Sequence, residues 1–152
     1  MTFLPIDIDE TQNTGFLENS ECLEILDVYP AYYKKVGYNK PWIGYFVANN
    51  RNEIIGCGGY KGKPKEGKIE IAYGAFKKFE GQGVGTEICR QLVLLSLSTD
   101  PTITITARTL AENPASIGVL KKNGFECLGF VVDEEDGEVL EWEFKKNVTS
   151  KT

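Results

Sequence analysis

From residue 20 onward, apolar positions recur at helical spacing: Cys22, Ile25, Leu26 and Tyr29 follow Ser20, with Glu21 and Glu24 among them. A hydroxyl cap and early acids suit the unpaired N–H groups of a helix start, so Ser20 reads as the cap. Pro30 lacks a donor for the helical ladder and predicts a break there, with a second short helix over Ala31–Val36. The pattern then becomes extended. Trp42–Asn49 and Glu53–Tyr60 read as a hairpin around the polar turn Asn49-Asn50-Arg51-Asn52. After the Gly- and Lys-rich loop Lys61–Gly67 comes a third strand, Lys68–Tyr73, in which Ile69, Ile71 and Tyr73 alternate with Glu70 and Ala72.

Beyond Glu80–Gly85 a helix is predicted whose buried stripe is Val84, Ile88, Leu92 and Leu95. Pro101 closes it, and Thr102–Arg108 is a β-branched strand. Strand, helix and strand in this order form a βαβ unit with parallel strands. A further helix, Pro114–Lys122, starts after Asn113 and stops at Asn123-Gly124. Phe125–Val132 and Glu138–Phe144 close the chain as an antiparallel pair around an acidic turn. The expectation is a single α/β domain over residues 1–152, with a mixed, mostly antiparallel sheet built around one central parallel βαβ unit.

Composition narrows the chemistry. A chain of 152 residues with 41% apolar and 26% charged residues is an ordinary globular domain. No apolar run approaches bilayer length, and Met1–Glu10 lacks the basic start and long apolar stretch of a secretory signal. A cytoplasmic protein with no membrane partner is therefore expected. The chain has no histidine, which excludes histidine-based nucleophilic catalysis and removes the commonest metal ligand. Cys22, Cys57, Cys89 and Cys127 form no Cys-x-x-Cys pair and read as buried small hydrophobes, so no metal is expected. The net charge of −5 argues against nucleic acid as a partner.

The run Glu80-Gly81-Gln82-Gly83-Val84-Gly85 sits between a strand and a helix. Glycines there allow positive φ and close approach of a ligand, and the following helix offers unpaired N–H groups to a pyrophosphate. A dinucleotide fingerprint would need glycine where Thr86 stands, and a phosphate-binding P-loop would need Gly-Lys-Ser/Thr. Neither pattern is met.

The core Gly81-Gln82-Gly83-Val84-Gly85 resembles the acyl-CoA signature of the GNAT superfamily of N-acetyltransferases. Asn113-Pro114-Ala115-Ser116 followed by Gly124-Phe125 is similar to a second motif of that family, at the expected spacing. Ile69-Glu70-Ile71-Ala72-Tyr73 is similar to the strand before the signature in the ribosomal-protein N-terminal acetyltransferase branch. The resemblance implies acetyl-CoA as co-substrate, an amine acceptor and the GNAT fold, and leaves room for a homodimer. It implies that the backbone of Gly81, Gln82, Gly83, Val84, Gly85 and Thr86 holds the pyrophosphate. It further implies that Ala75 and Phe76 pair with the pantetheine arm, that Asn113 and Ser116 add side-chain contacts, and that Lys121 or Lys122 meets phosphate. Glu80 stands where the family usually has Arg or Gln, and Leu120 where a tyrosine acid is common.

Acetyl transfer to an amine needs a group to accept the amine proton. Glu70 is the candidate base, on the polar face of its strand, and Tyr73 is a candidate acid if the strand presents it. Trp42, Tyr45 and Phe46 read either as core or as a wall of an acceptor pocket. A CoA-binding sensor without turnover, or a scaffold that keeps only the fold, are the alternative readings.

Overall fold

The computed structural model describes residues 1–146. Its strands are β1 (Thr2–Pro5), β2 (Gly44–Ala48), β3 (Ile54–Tyr60), β4 (Lys68–Ala75), β5 (Thr104–Thr109), β6 (Phe125–Asp133) and β7 (Gly137–Phe144). Its helices are α1 (Ser20–Val36), α2 (Val84–Thr99) and α3 (Pro114–Lys122), with short 3-10 turns at Glu10–Phe16 and Lys77–Phe79. The strands form one sheet in the order β1-β2-β3-β4-β5-β7-β6. Every neighbouring pair is antiparallel except β4 and β5, which are parallel and joined through α2. This is the mixed sheet with a central βαβ unit that the sequence pattern predicts.

The helices cover opposite faces. A Cβ on Gly58 would lie 2.7 Å from Ile88 Cγ2, and one on Gly56 2.9 Å from Ile88 Cδ1, so β3 uses glycine to let α2 close onto the sheet. On the other face Tyr29 of α1 sits directly over Gly44, with no room for a side chain there. Ile69, Ile71, Ile103 and Ile105 of the sheet side and Ile88 and Leu92 of α2 are fully or almost fully buried between the two.

Four details depart from the sequence reading. α1 is continuous through Pro30, because Tyr29 and Tyr33 anchor it on both sides of the proline. Tyr33 Oη donates to Ile6 O at 2.7 Å and accepts from Gly44 N at 3.1 Å. Its cap is Asn19 rather than Ser20: Asn19 Oδ1 accepts from Glu21 N and Cys22 N. β1 and the turn over Glu10–Phe16 have no counterpart in the hydrophobic pattern. Finally, Cys127 is exposed, whereas Cys22 and Cys89 are buried as expected and Cys57 is partly buried against the core.

Candidate active site

The site begins where two parallel strands part. β4 and β5 stay in register from Lys68 opposite Thr104 to Ile71 opposite Ala107. Beyond that point β4 runs on to Ala75, paired with β3. Backbone polar groups alternate in direction along a strand. Glu70 O accepts from Lys61 N at 3.0 Å and Phe76 N donates to Ile55 O at 2.8 Å, so the even-numbered residues point toward β3. Tyr73 and Ala75 therefore turn their N–H and C=O groups to the side that β5 has left. A short strand edge opens inside the sheet.

The glycine turn lies across from this edge. Gly81 has φ +77 and Gly83 φ +81, conformations that favour glycine, and a Cβ at either position would meet nothing within 4 Å. Gly83 caps α2 without a side-chain hydrogen bond. The first bond of the helix runs from Glu87 N to Gly83 O at 3.1 Å, so the amides of Val84, Gly85 and Thr86 have no acceptor within the helix. They carry the positive end of its dipole.

Between edge and turn is a groove of about 690 Å³, a size that suits a large cofactor. Of the expected binding residues it brings together Ala75 from β4, Gly81, Gly83, Val84, Gly85 and Thr86 from the turn and α2, and Asn113, Ser116 and Lys122 at α3. Tyr73 lines it as well. Gln82 and Lys121 are exposed but do not line it. Phe76 departs from its expected role. Its N–H is committed to Ile55 O, its C=O accepts from Phe79 N at 2.8 Å, and its ring is buried beside Phe46. The free strand edge stops at Ala75.

Sequence reasoning missed Gly74, Gly118 and Val119, which also line the groove. Pro114, Gly118 and Lys122 recur every four residues and share one stripe of α3, so helical spacing was the available signal. Glu80 lines the groove too and sets an acid beside the glycine turn.

Tyr73 Oη lies 3.2 Å from Ser116 Oγ and 3.3 Å from Ser116 O. Burial pushes this phenol well above its ordinary value, against the smaller opposing effect of the Ser116 hydrogen bond. Asn113 Oδ1 caps α3 by accepting from Ser116 N at 3.1 Å, so its oxygen is committed to the helix start. Leu120 is fully buried in the core.

Glu70 sits on the opposite face of the sheet. Gly44, Gly59 and Ala72 are register partners on the α1 face, and Glu70 shares that face two residues earlier. Lys61 Nζ is 2.8 Å from Glu70 Oε2; the contact is ionic, and that oxygen, shut off from solvent, has no well-angled hydrogen bond. Arg108 follows on the same face of β5, with Nη1 2.9 Å from Asp133 Oδ1 and Nη2 3.1 Å from Glu141 Oε1. The Arg108 hydrogen bond holds the Asp133 carboxyl down at about 2. Trp42, Tyr45 and Phe46 are buried in the core, with Trp42 against Tyr60 at 5.0 Å, and do not line this groove.

The sequence and the fold were compared with known proteins. The family model of the acetyltransferase (GNAT) domain matches residues 3–126. A search among curated proteins gives no match. Among solved structures, a mutant of the spermidine N-acetyltransferase SpeG from Vibrio cholerae is similar with a TM-score of 0.72 and 14% identity, over 96% of this chain and 94% of that one. The aminoglycoside acetyltransferase AAC(6')-Ib in complex with coenzyme A gives a TM-score of 0.71 and 20% identity, over 99% and 98% of the two chains. A GNAT-family acetyltransferase from Bordetella pertussis gives 0.61 and 15%, over 80% and 76%. At these identities the structural likeness is one of fold. The family match spans most of the chain, and the protein belongs to the GNAT family of acetyltransferases.

Proposed function

We propose that the protein is an acetyl-CoA-dependent N-acetyltransferase that acts on a primary amine. The observation that carries this reading is the groove itself, with free helix-start amides on one side and a free strand edge on the other. These groups fit CoA chemically. The amides from Gln82 to Thr86 suit a pyrophosphate, Tyr73 and Ala75 suit the amides of the pantetheine arm, and Lys122 suits a further phosphate. Acetyl-CoA supplies an activated acyl group on a thiol.

The residues divide the proton transfers between the two faces of the sheet. Glu70, on the α1 face, takes a proton from the amine directly or through one water. Tyr73, on the α2 face, is kept protonated by burial and gives its proton to the departing sulfur, with Ser116 orienting the phenol. A C–N bond forms, a C–S bond breaks, and one proton enters at Glu70 as another leaves Tyr73. N–H groups on the free edge of β4 stabilise charge that develops on the carbonyl oxygen.

The likeness of Ile69–Tyr73 to ribosomal-protein N-terminal acetyltransferases favours a peptide N-terminus as acceptor, and the spermidine and aminoglycoside enzymes of the same fold favour small amines. A sensing module without turnover is a second reading, favoured by the burial of Leu120 in place of a tyrosine acid.

Calorimetric titration with acetyl-CoA tests the site. Gly83→Ala forces a side chain into φ +81 at the start of α2, and Gly67→Ala does the same at φ +76 in a loop away from the groove. Each change costs about 1–2 kcal/mol of stability. Only Gly83→Ala should weaken acetyl-CoA, by about tenfold, the equivalent of roughly 1.4 kcal/mol. Equal affinities for the two variants would move the anion site elsewhere.

A further inference from the structure

Glu70 stands one residue before β4 and β5 part, since Ile71 and Ala107 are their last paired residues. Lys61 is held to it twice. Lys61 N donates to Glu70 O at 3.0 Å, and Lys61 Nζ lies 2.8 Å from Glu70 Oε2. The backbone on either side of Lys61 is fixed as well. Tyr60, before it, pairs with Ile71, and its C=O accepts from Tyr32 Oη of α1 at 3.3 Å. Gly62, after it, turns at φ +84 against the end of α1, where a Cβ would meet Val36 O at 2.9 Å. Arg108, on the same face of the sheet, is committed to Asp133 and Glu141. Glu70 Oε2 is closed to solvent and has Lys61 as its ionic partner.

We propose that Lys61 is a positioning residue for the acetyl transfer: it holds Oε2 of Glu70 and so leaves Oε1 as the atom that takes the amine proton. The inference rests on Glu70 as the base. A carboxylate tethered at one oxygen cannot turn the other away from the acceptor, and such orientation lowers a barrier without touching the reacting atoms. The Lys61 ammonium also offsets the charge of the carboxylate. Without it, Glu70 would hold an incoming ammonium as a close ion pair, which stabilises the ground state and opposes loss of the proton. The pair adds little to folding, because its side chains are 33% and 21% exposed. Its effect therefore belongs in turnover.

Steady-state kinetics with an accepted amine separates these roles. Lys61→Met should lower kcat about tenfold and lower the amine KM as well, the pattern of a tighter and less productive ground state. Acetyl-CoA affinity and the thermal transition should stay at wild-type values. Lys61→Arg should restore most of the lost kcat, and Lys63→Met, at an exposed position of the same loop, should leave it unchanged. Because Lys61 acts through Glu70, Lys61→Met combined with Glu70→Gln should be no slower than Glu70→Gln alone. If Lys61→Met fails to fold, Lys61→Gln gives the same comparison. With Glu70→Gln slow, a folded Lys61→Met of wild-type kcat would overturn the proposal. So would an arginine variant no faster than the methionine one, or a double variant slower by the full tenfold. Wild-type turnover in Glu70→Gln, or no turnover with any amine, would instead remove the base itself and the inference with it.

Discussion

Tyr73 shows how one residue takes its character from three surroundings. The strand directs its ring to the α2 face, α3 places Ser116 at its oxygen, and burial in the groove disfavours the phenolate. With the phenol raised above its ordinary 10.0, Tyr73 stays protonated below pH 10. In the proposed reaction the rate should therefore rise with pH as the amine loses its proton, without a falling limb below pH 10. Tyr73→Phe should lower kcat about a hundredfold and leave acetyl-CoA affinity unchanged, since its edge contacts are made by backbone. A falling limb below pH 10 that vanishes in Tyr73→Phe would contradict the raised phenol. An unchanged kcat would remove Tyr73 from the reaction. The sequence placed Tyr73 on the isoleucine face from alternation alone; the reach of its oxygen to Ser116 depends on how α3 crosses β4, which no local pattern encodes.

At the scale of elements, α1 is the clearest case of packing that outweighs propensity. Pro30 removes a ladder bond in the middle of a 17-residue helix, yet the tyrosines around it hold the helix straight through. Because Pro30 is exposed, Pro30→Ala restores a hydrogen bond without opening a cavity. Urea unfolding should show a gain of about 1–2 kcal/mol; a loss would mean that the proline preorganises the chain more than it strains the helix. The same balance explains what the pattern of residues did and did not reveal. α2, α3 and the parallel pair were legible because each is long, periodic and bounded by glycine or proline. β1 was not, because four residues ending in Pro5 become a strand only through β2, which they meet from far along the chain. The glycine turn was legible as a binding feature. The end of the free edge at Ala75 was not, since it depends on where Phe76 meets Ile55.

For the whole molecule, the pair between Asp133 and Arg108 links stability to acid. Asp133 is buried and held by Arg108 at about 2, below its ordinary 3.8. A depressed carboxyl gives stability that is present above its unfolded value and is lost as pH falls, here from about 4 to about 2. The contribution at neutral pH is about 2 kcal/mol. Glu87 is also held low, by Arg90 and Gln91, but that pair is exposed on α2 and contributes little. Chemical denaturation between pH 7 and pH 2 should show a steep loss for wild type and a flatter one for Asp133→Asn. Parallel curves would assign acid unfolding to other carboxylates.

In the proposed reaction a free amine receives the acetyl group and Glu70 takes its proton. The most direct measurement is release of free thiol from acetyl-CoA by wild type and by Glu70→Gln, with and without a panel of small amines and peptide N-termini. Wild type should release thiol only when an accepted amine is present, in a one-to-one ratio with N-acetylated product. Glu70→Gln should bind acetyl-CoA as tightly and turn over about 10²–10⁴ times more slowly. Acetyl-CoA binding with no amine-dependent thiol release from any acceptor would contradict acetyl transfer and make the protein a sensing module.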